Sequence, residues 1–133
     1  MKKVLIISLV ILAVGALAFI FFSPSKDSSN NTAAQTQNPV SLALTEASNN
    51  QAVILDVRTP EEFNQGHSKN STNFDLNKLT NGQMPDVPKD SKIYVYCRSG
   101  NRSSQAKVIL TNNGFTNVTD LGGLDNMKSG GAF

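Results

Sequence analysis

Cys97 is the sole cysteine of the chain, and it stands where the β-branched and aromatic run KIYVYC (92–97) gives way to the polar loop CRSGNRS (97–103). The residue types in that loop converge on one kind of chemistry. Gly100 permits backbone angles that residues with a β-carbon avoid. A loop curled around the sulfur would turn successive N–H groups inward as an anion nest. A helix opening near Arg102 and Ser103 would add the positive potential of its N-terminus at the same place. Arg98 and Arg102 contribute formal charge. A free thiol has a pKa of about 8.5, which helix N-termini and cations lower. Together these features favour a thiolate and an anionic substrate. A cysteine that merely ends a strand is a small inert hydrophobe, and a plain strand end has no use for this charge.

Other chemistries are poorly supplied. One cysteine allows neither an internal disulfide framework nor a CxxC redox pair. With His67 as the single histidine, a zinc site built from Cys and His is not expected, and no metal or cofactor is implied. From Pro39 onward, six Lys and three Arg face six Asp and three Glu, and the formal excess of +2 comes from Lys2 and Lys3. A balanced domain lacks the basic face that nucleic-acid binding requires.

The elements that must position the loop read as alternating strands and helices. VSLALTEASNN (40–50) fits a short amphipathic helix with Val40, Leu42, Leu44 and Ala47 on one side. AVILDV (52–57) has the length and continuous apolarity of a strand buried on both faces of a parallel sheet. TPEEFNQG places a proline and two glutamates in a first helical turn and Gly66 at its close. TNFDL suggests a short strand, LNKLTNG a short helix ending at Gly82, and MPDVPKDS a loop. KIYVYC is a second strong strand. RSSQAKVILTNNG follows as a helix that turns Ala106, Val108, Ile109 and Leu110 toward the sheet and ends at Gly114. FTNVTDL is a further strand, and GGLDNMKSGGAF a glycine-rich finish. The pattern predicts a single small α/β domain, residues 39–133, with a mostly parallel sheet flanked by helices. In such sheets, sites form beyond the carboxyl ends of strands, where Cys97 falls.

Ahead of the domain, MKK precedes VLIISLVILAVGALAFIFF, an uncharged apolar run over residues 4–22. As a helix rising about 1.5 Å per residue, this run nearly crosses a hydrocarbon core about 30 Å thick. Residues 1–22 therefore read as an N-terminal hydrophobic helix, a transmembrane signal anchor. The alternative is a signal peptide cut after ALA at 16–18, with the domain secreted. The preceding lysines would stay in the cytoplasm and leave the domain outside, at the cell surface or in a periplasm. No cysteine follows the run to serve as a lipid anchor. Residues 23–38, SPSKDSSNNTAAQTQN, have the composition of a flexible polar tether.

Three segments resemble the rhodanese family of single-domain sulfurtransferases: CRSGNRS is similar to its active-site loop, LDVRTPEEFNQGH (55–67) to its other signature, and LGGLDNMKSGG to its closing stretch. The match covers roughly residues 39–133. Cysteine phosphatases of similar fold place five residues between cysteine and arginine, whereas four separate Cys97 from Arg102. The tighter loop suits a single sulfur atom better than a tetrahedral phosphate. The resemblance implies sulfur transfer through a Cys97 persulfide, from a small anionic donor such as thiosulfate or polysulfide to a thiophilic acceptor, which includes a protein thiol. The amides of Ser99, Gly100, Asn101 and Ser103 would line the loop, and Arg98 and Arg102 would attract the anion. Asp56 and Arg58 would organise the fold beside the site, and His67 would be a hydrogen-bonded structural residue. A non-catalytic binding module and a persulfide or polysulfide carrier are the alternatives. The chain departs from the family at SKNST, where Asn70 takes a glycine position, and at Met127, where an aromatic is expected.

Overall fold

A computed structural model describes residues 38–133. The expected N-terminal helix over 1–22, and the tether up to residue 37, lie outside the described residues. Asn38 does not belong to a tether: its side chain accepts from the Val40 N–H at 2.9 Å and caps helix α1 (Pro39–Ser48), which Pro39 opens. Among the described residues, no helix is long and apolar enough to cross a membrane.

Four strands, β1 (Val53–Asp56), β2 (Ser71–Asn73), β3 (Ile93–Tyr96) and β4 (Val118–Gly122), form one sheet in the order β2-β1-β3-β4. Every neighbouring pair is parallel. The connections carry α2 (Pro60–Asn64), α3 (Leu76–Thr80) and α4 (Asn101–Asn112), and α5 (Leu124–Ser129) follows β4. The α/β expectation holds.

Side chains alternate across a strand, and that alternation builds two cores. Leu55 and Val57 of the β1 segment join Ile93, Val95 and Cys97 on one face, beneath Leu79 of α3 and Ala106 and Leu110 of α4. Ile54, Tyr94 and Tyr96 point the other way, against Val40 and Ala43 of α1 and Met127 of α5. Burying each large apolar side chain contributes roughly 1.5–3 kcal/mol. The parity of β3 therefore assigns Cys97 to the α4 side before any loop geometry is considered.

Several expectations shift. Val108 is 56% exposed. Ala106 and Leu110, one helical turn apart, set the buried face, and Val108 lies about 200° round the helix from Ala106. In α1, Ala43 rather than Leu42 is buried, because Val40, Ala43, Leu44 and Ala47 fall at helical spacing on the face toward the sheet and Leu42 lies off it. The β2 strand begins at Ser71 and ends at Asn73, and Leu76 opens α3 behind the Asp75 cap. The glycine-rich finish contains α5, whose Met127 is fully buried in place of an aromatic. Asn70 adopts φ 59°, the left-handed turn its glycine-like position requires.

Candidate active site

The carboxyl ends of β1, β3 and β4 meet at one edge of the sheet, and the candidate residues gather there. Cys97 immediately follows β3, and its N–H donates to the Gly122 carbonyl at 3.0 Å, extending the ladder to β4. The chain then turns through Gly100, whose φ of +96° suits glycine and makes it the N-cap of α4. This turn brings the Gly100 N–H to 3.1 Å from the sulfur. The Ser103 hydroxyl lies 3.7 Å from Sγ and donates to the Gly100 carbonyl at 2.9 Å, tying the loop's end to its middle.

Burial pushes the Cys97 thiol up, but hydrogen bonding with the Ser103 amide and hydroxyl and with the Ser99 and Gly100 amides outweighs it. The balance falls below an ordinary thiol, so the site favours thiolate. Asn101 opens α4, and its side chain accepts from Gln105 at 2.6 Å on the exposed flank, leaving only its backbone for the loop. The first N–H groups of a helix have no acceptor within it. Beneath this cradle, Cys97 is buried among aliphatic side chains.

The two loop arginines are placed differently. Arg98 is exposed, and its carbonyl accepts from the Leu124 N–H at 3.0 Å. Arg102 makes a forked ion pair with Glu62, at 2.6 and 2.9 Å. That pair holds the Glu62 carboxyl down at about 2 and raises Arg102. Glu62 also completes a capping box with Thr59 at the start of α2. It thereby ties α2 to the opening turn of α4, and the Arg102 guanidinium so fastened also faces the Cys97 sulfur, whose charge and hydrogen bond help to raise it. Spacing did not reveal this partner, because Glu62 and Arg102 are 40 residues apart. The Thr-x-x-Glu pattern marks Glu62 only as a helix-start residue.

Asp56 and Arg58 form a buried forked pair, with Arg58 Nη2 at 2.6 Å from Asp56 Oδ2 and 2.7 Å from the Gly66 carbonyl. Burial pulls the Arg58 guanidinium down, but the hydrogen bond and charge of Asp56 leave it raised. Asn73 donates to the carbonyls of both Asp56 and Arg58. The cluster fixes the chain that carries α2, and hence Glu62, beside the loop. His67 is exposed, stacked on Phe63 at 3.7 Å, and its Nδ1–H donates to the Phe63 carbonyl at 3.0 Å. These contacts are local to α2, and the structure gives His67 no hydrogen bond to the loop. Tyr96, the residue before the cysteine, is buried and pushed up to about 12, chiefly by burial; its hydroxyl accepts from the Ser68 N–H at 3.0 Å.

Beyond the loop, Gly123 packs so closely that a β-carbon would fall 2.9 Å from the Arg98 carbonyl oxygen. The β4–α5 corner thus backs the loop as the Glu62 pair fastens its far end. An open cleft of about 390 Å³ adjoins it, with Arg98, Leu124, Lys128 and Phe133 among its walls.

Comparison with known proteins agrees with this geometry. Residues 71 in number align at 39% identity with the thiosulfate sulfurtransferase PspE of Escherichia coli, covering 53% of this chain and 68% of that protein. A sulfurtransferase of Allochromatium vinosum is 35% identical over 83 residues, 62% of this chain and 77% of its own. The Rhodanese_3-like domain of the Alr3790 protein from Anabaena superimposes with a TM-score of 0.56 at 32% identity, over 62% of this chain and 95% of that domain. The profile of the rhodanese-like domain matches residues 40–129, and the chain belongs to that family.

Proposed function

We propose that this protein is a sulfurtransferase that carries sulfane sulfur on Cys97. The observation that carries the reading is the Gly100 N–H at 3.1 Å from a buried sulfur whose loop amides favour thiolate. Similarity to a protein named thiosulfate sulfurtransferase supports it. The Cys97 thiolate attacks the outer sulfur of thiosulfate, a new S–S bond forms, and the old one breaks with its electron pair leaving on sulfite. The persulfide Cys97–S–S⁻ keeps its negative charge within the nest that held the thiolate. An acceptor nucleophile then takes the outer sulfur, and the electron pair of the Cys97 S–S bond returns to the cysteine. This is covalent catalysis in two steps, and neither step consumes an oxidant or needs a general base. With Cys97 the only cysteine, the persulfide is discharged to another molecule.

The apolar run at 4–22 and the lysines before it support a location at the membrane, with the domain on the outer side. The deciding experiment treats the full-length chain, in non-ionic detergent, with thiosulfate and weighs it intact. Gain of one sulfur atom, its removal by cyanide as thiocyanate, and absence of both in Cys97→Ser are expected. A folded chain with a reduced thiol that takes sulfur from neither thiosulfate nor polysulfide is instead a binding module. Loading by polysulfide alone marks a carrier.

A further inference from the structure

We infer that the cleft beside the loop is the acceptor's subsite and that Lys128 selects acceptors bearing a carboxylate, an inference that rests on the sulfurtransferase reading. The cleft's volume, about 390 Å³, lies within the roughly 300–1,000 Å³ of small-molecule sites and exceeds what thiosulfate needs. Arg98 forms one wall, next in the chain to Cys97, and Leu124, another wall, is hydrogen-bonded to the Arg98 carbonyl. Cys97 itself does not line the cleft. The space borders the residue that follows the nucleophile and suits the remainder of a molecule whose reactive end reaches the sulfur.

Charge decides what that remainder is. Four charged residues line the cleft, and two of them are already neutralised: Arg58 by Asp56 and Glu62 by Arg102. Arg98 and Lys128 have no carboxylate within 4.0 Å among the described residues. Leu124 and the 46% exposed Phe133 add apolar surface. Two cations without an internal counter-ion, above an apolar wall, match a carboxylate on a short carbon stem. The acceptor's thiolate attacks the outer sulfur of Cys97–S–S⁻. A new S–S bond forms, the Cys97 S–S bond breaks with its electron pair returning to Cys97, and the acceptor leaves as its own persulfide anion.

The test loads the full-length chain in non-ionic detergent with thiosulfate, removes the donor, and confirms the added sulfur by intact mass. Mercaptosuccinate, mercaptopropionate, mercaptoethanol and cysteamine are then added singly, and loss of the sulfur is timed. The thiols differ in intrinsic reactivity, so the readout is each rate constant relative to mercaptoethanol, compared between wild type and Lys128→Gln. The variant should lose about 2- to 5-fold of the relative preference for mercaptosuccinate, the range of an exposed ion pair. Lys128→Arg should restore it, and high salt should narrow the wild-type preference. An identical preference in wild type and Lys128→Gln, on loaded protein, overturns the subsite. A wild type that never accepts sulfur removes the function reading and the subsite with it, and that outcome is read before any thiol is added.

Discussion

At the scale of single residues, the chemistry depends on how the fold treats one sulfur. Burial alone would make Cys97 a poor nucleophile, because a thiolate is costly in an apolar surrounding. The amides of Ser103, Ser99 and Gly100 and the Ser103 hydroxyl reverse the sign. A lowered thiol gives more thiolate at any pH below its titration. The loading rate should therefore rise with pH and level off, with its inflection below that of an unperturbed thiol measured alongside. Stopped-time loading across pH, read by mass, checks this. Ser103→Ala removes one of the groups that lower the thiol, so its inflection should move up. Cys97→Ser should reduce sulfur transfer by at least about three orders of magnitude, as loss of a nucleophile does. An inflection at or above that of a free thiol would mean that burial wins and the loop does not prime the sulfur.

At the scale of elements, the site is a junction of two pieces that sequence spacing does not connect. The Arg102–Glu62 fork joins α4 to α2, and each side chain is about a quarter exposed. Its worth is accordingly modest, about 1 kcal/mol, or roughly 4–8 °C in Tm for a domain of this size. Glu62→Gln should show that loss together with slower loading, because the loop's closure is loosened. The sign in acid follows from the lowered carboxyl. The pair's stability is complete above the unfolded value of about 4.3 and is lost as pH falls toward about 2. Acid denaturation of Glu62→Gln should therefore lack part of the wild-type fall in that window. Gly123→Ala tests the opposite side of the loop. Its β-carbon would press on the Arg98 carbonyl at 2.9 Å, so loading should fall even where circular dichroism shows a folded domain.

The same elements show what was legible in the sequence. The strands β1 and β3 stood out because both are continuous apolar runs, and the Cys97 loop because its residues are contiguous. Helix α5 is hidden in the sequence because six residues, LDNMKS, bounded by glycines carry too little periodicity, and burial of Met127 holds it in place. Val108 faces outward because Ala106 and Leu110 set the helical phase, which apolarity alone does not reveal. Glu62 and Lys128 were absent from the expected site because nothing local marks a partner of the loop across the fold. Asn70 shows the converse, since its left-handed turn followed from one residue's known tolerance.

At the scale of the whole molecule, the proposed chemistry and the proposed membrane location rest on separate stretches of chain. Every residue of the candidate site and its adjoining cleft lies between Asp56 and Phe133, and both cores are built from residues 40–132. Among the described residues, no buried side-chain polar atom lacks a hydrogen-bond partner, so the domain's polar interior closes without residues 1–37. The proposal that the apolar run at 4–22 serves as an anchor therefore makes predictions separate from the chemistry. A chain lacking residues 1–37 should load sulfur on Cys97 at a rate close to that of the full-length protein. The full-length protein should stay with membranes through an alkaline carbonate wash, as a spanning segment does, whereas the truncated chain should be recovered in the supernatant. Protease added outside intact cells should cut within the polar stretch 23–37 and release a fragment still able to take sulfur from thiosulfate. Release without protease, with a new N-terminus just after residue 18, would identify the run as a cleaved signal. Protection of the domain until the cells are opened would place it on the cytoplasmic side and reverse the orientation drawn from Lys2 and Lys3. In either case loading of Cys97 should be unchanged, because the groups that hold the sulfur all lie in the described domain.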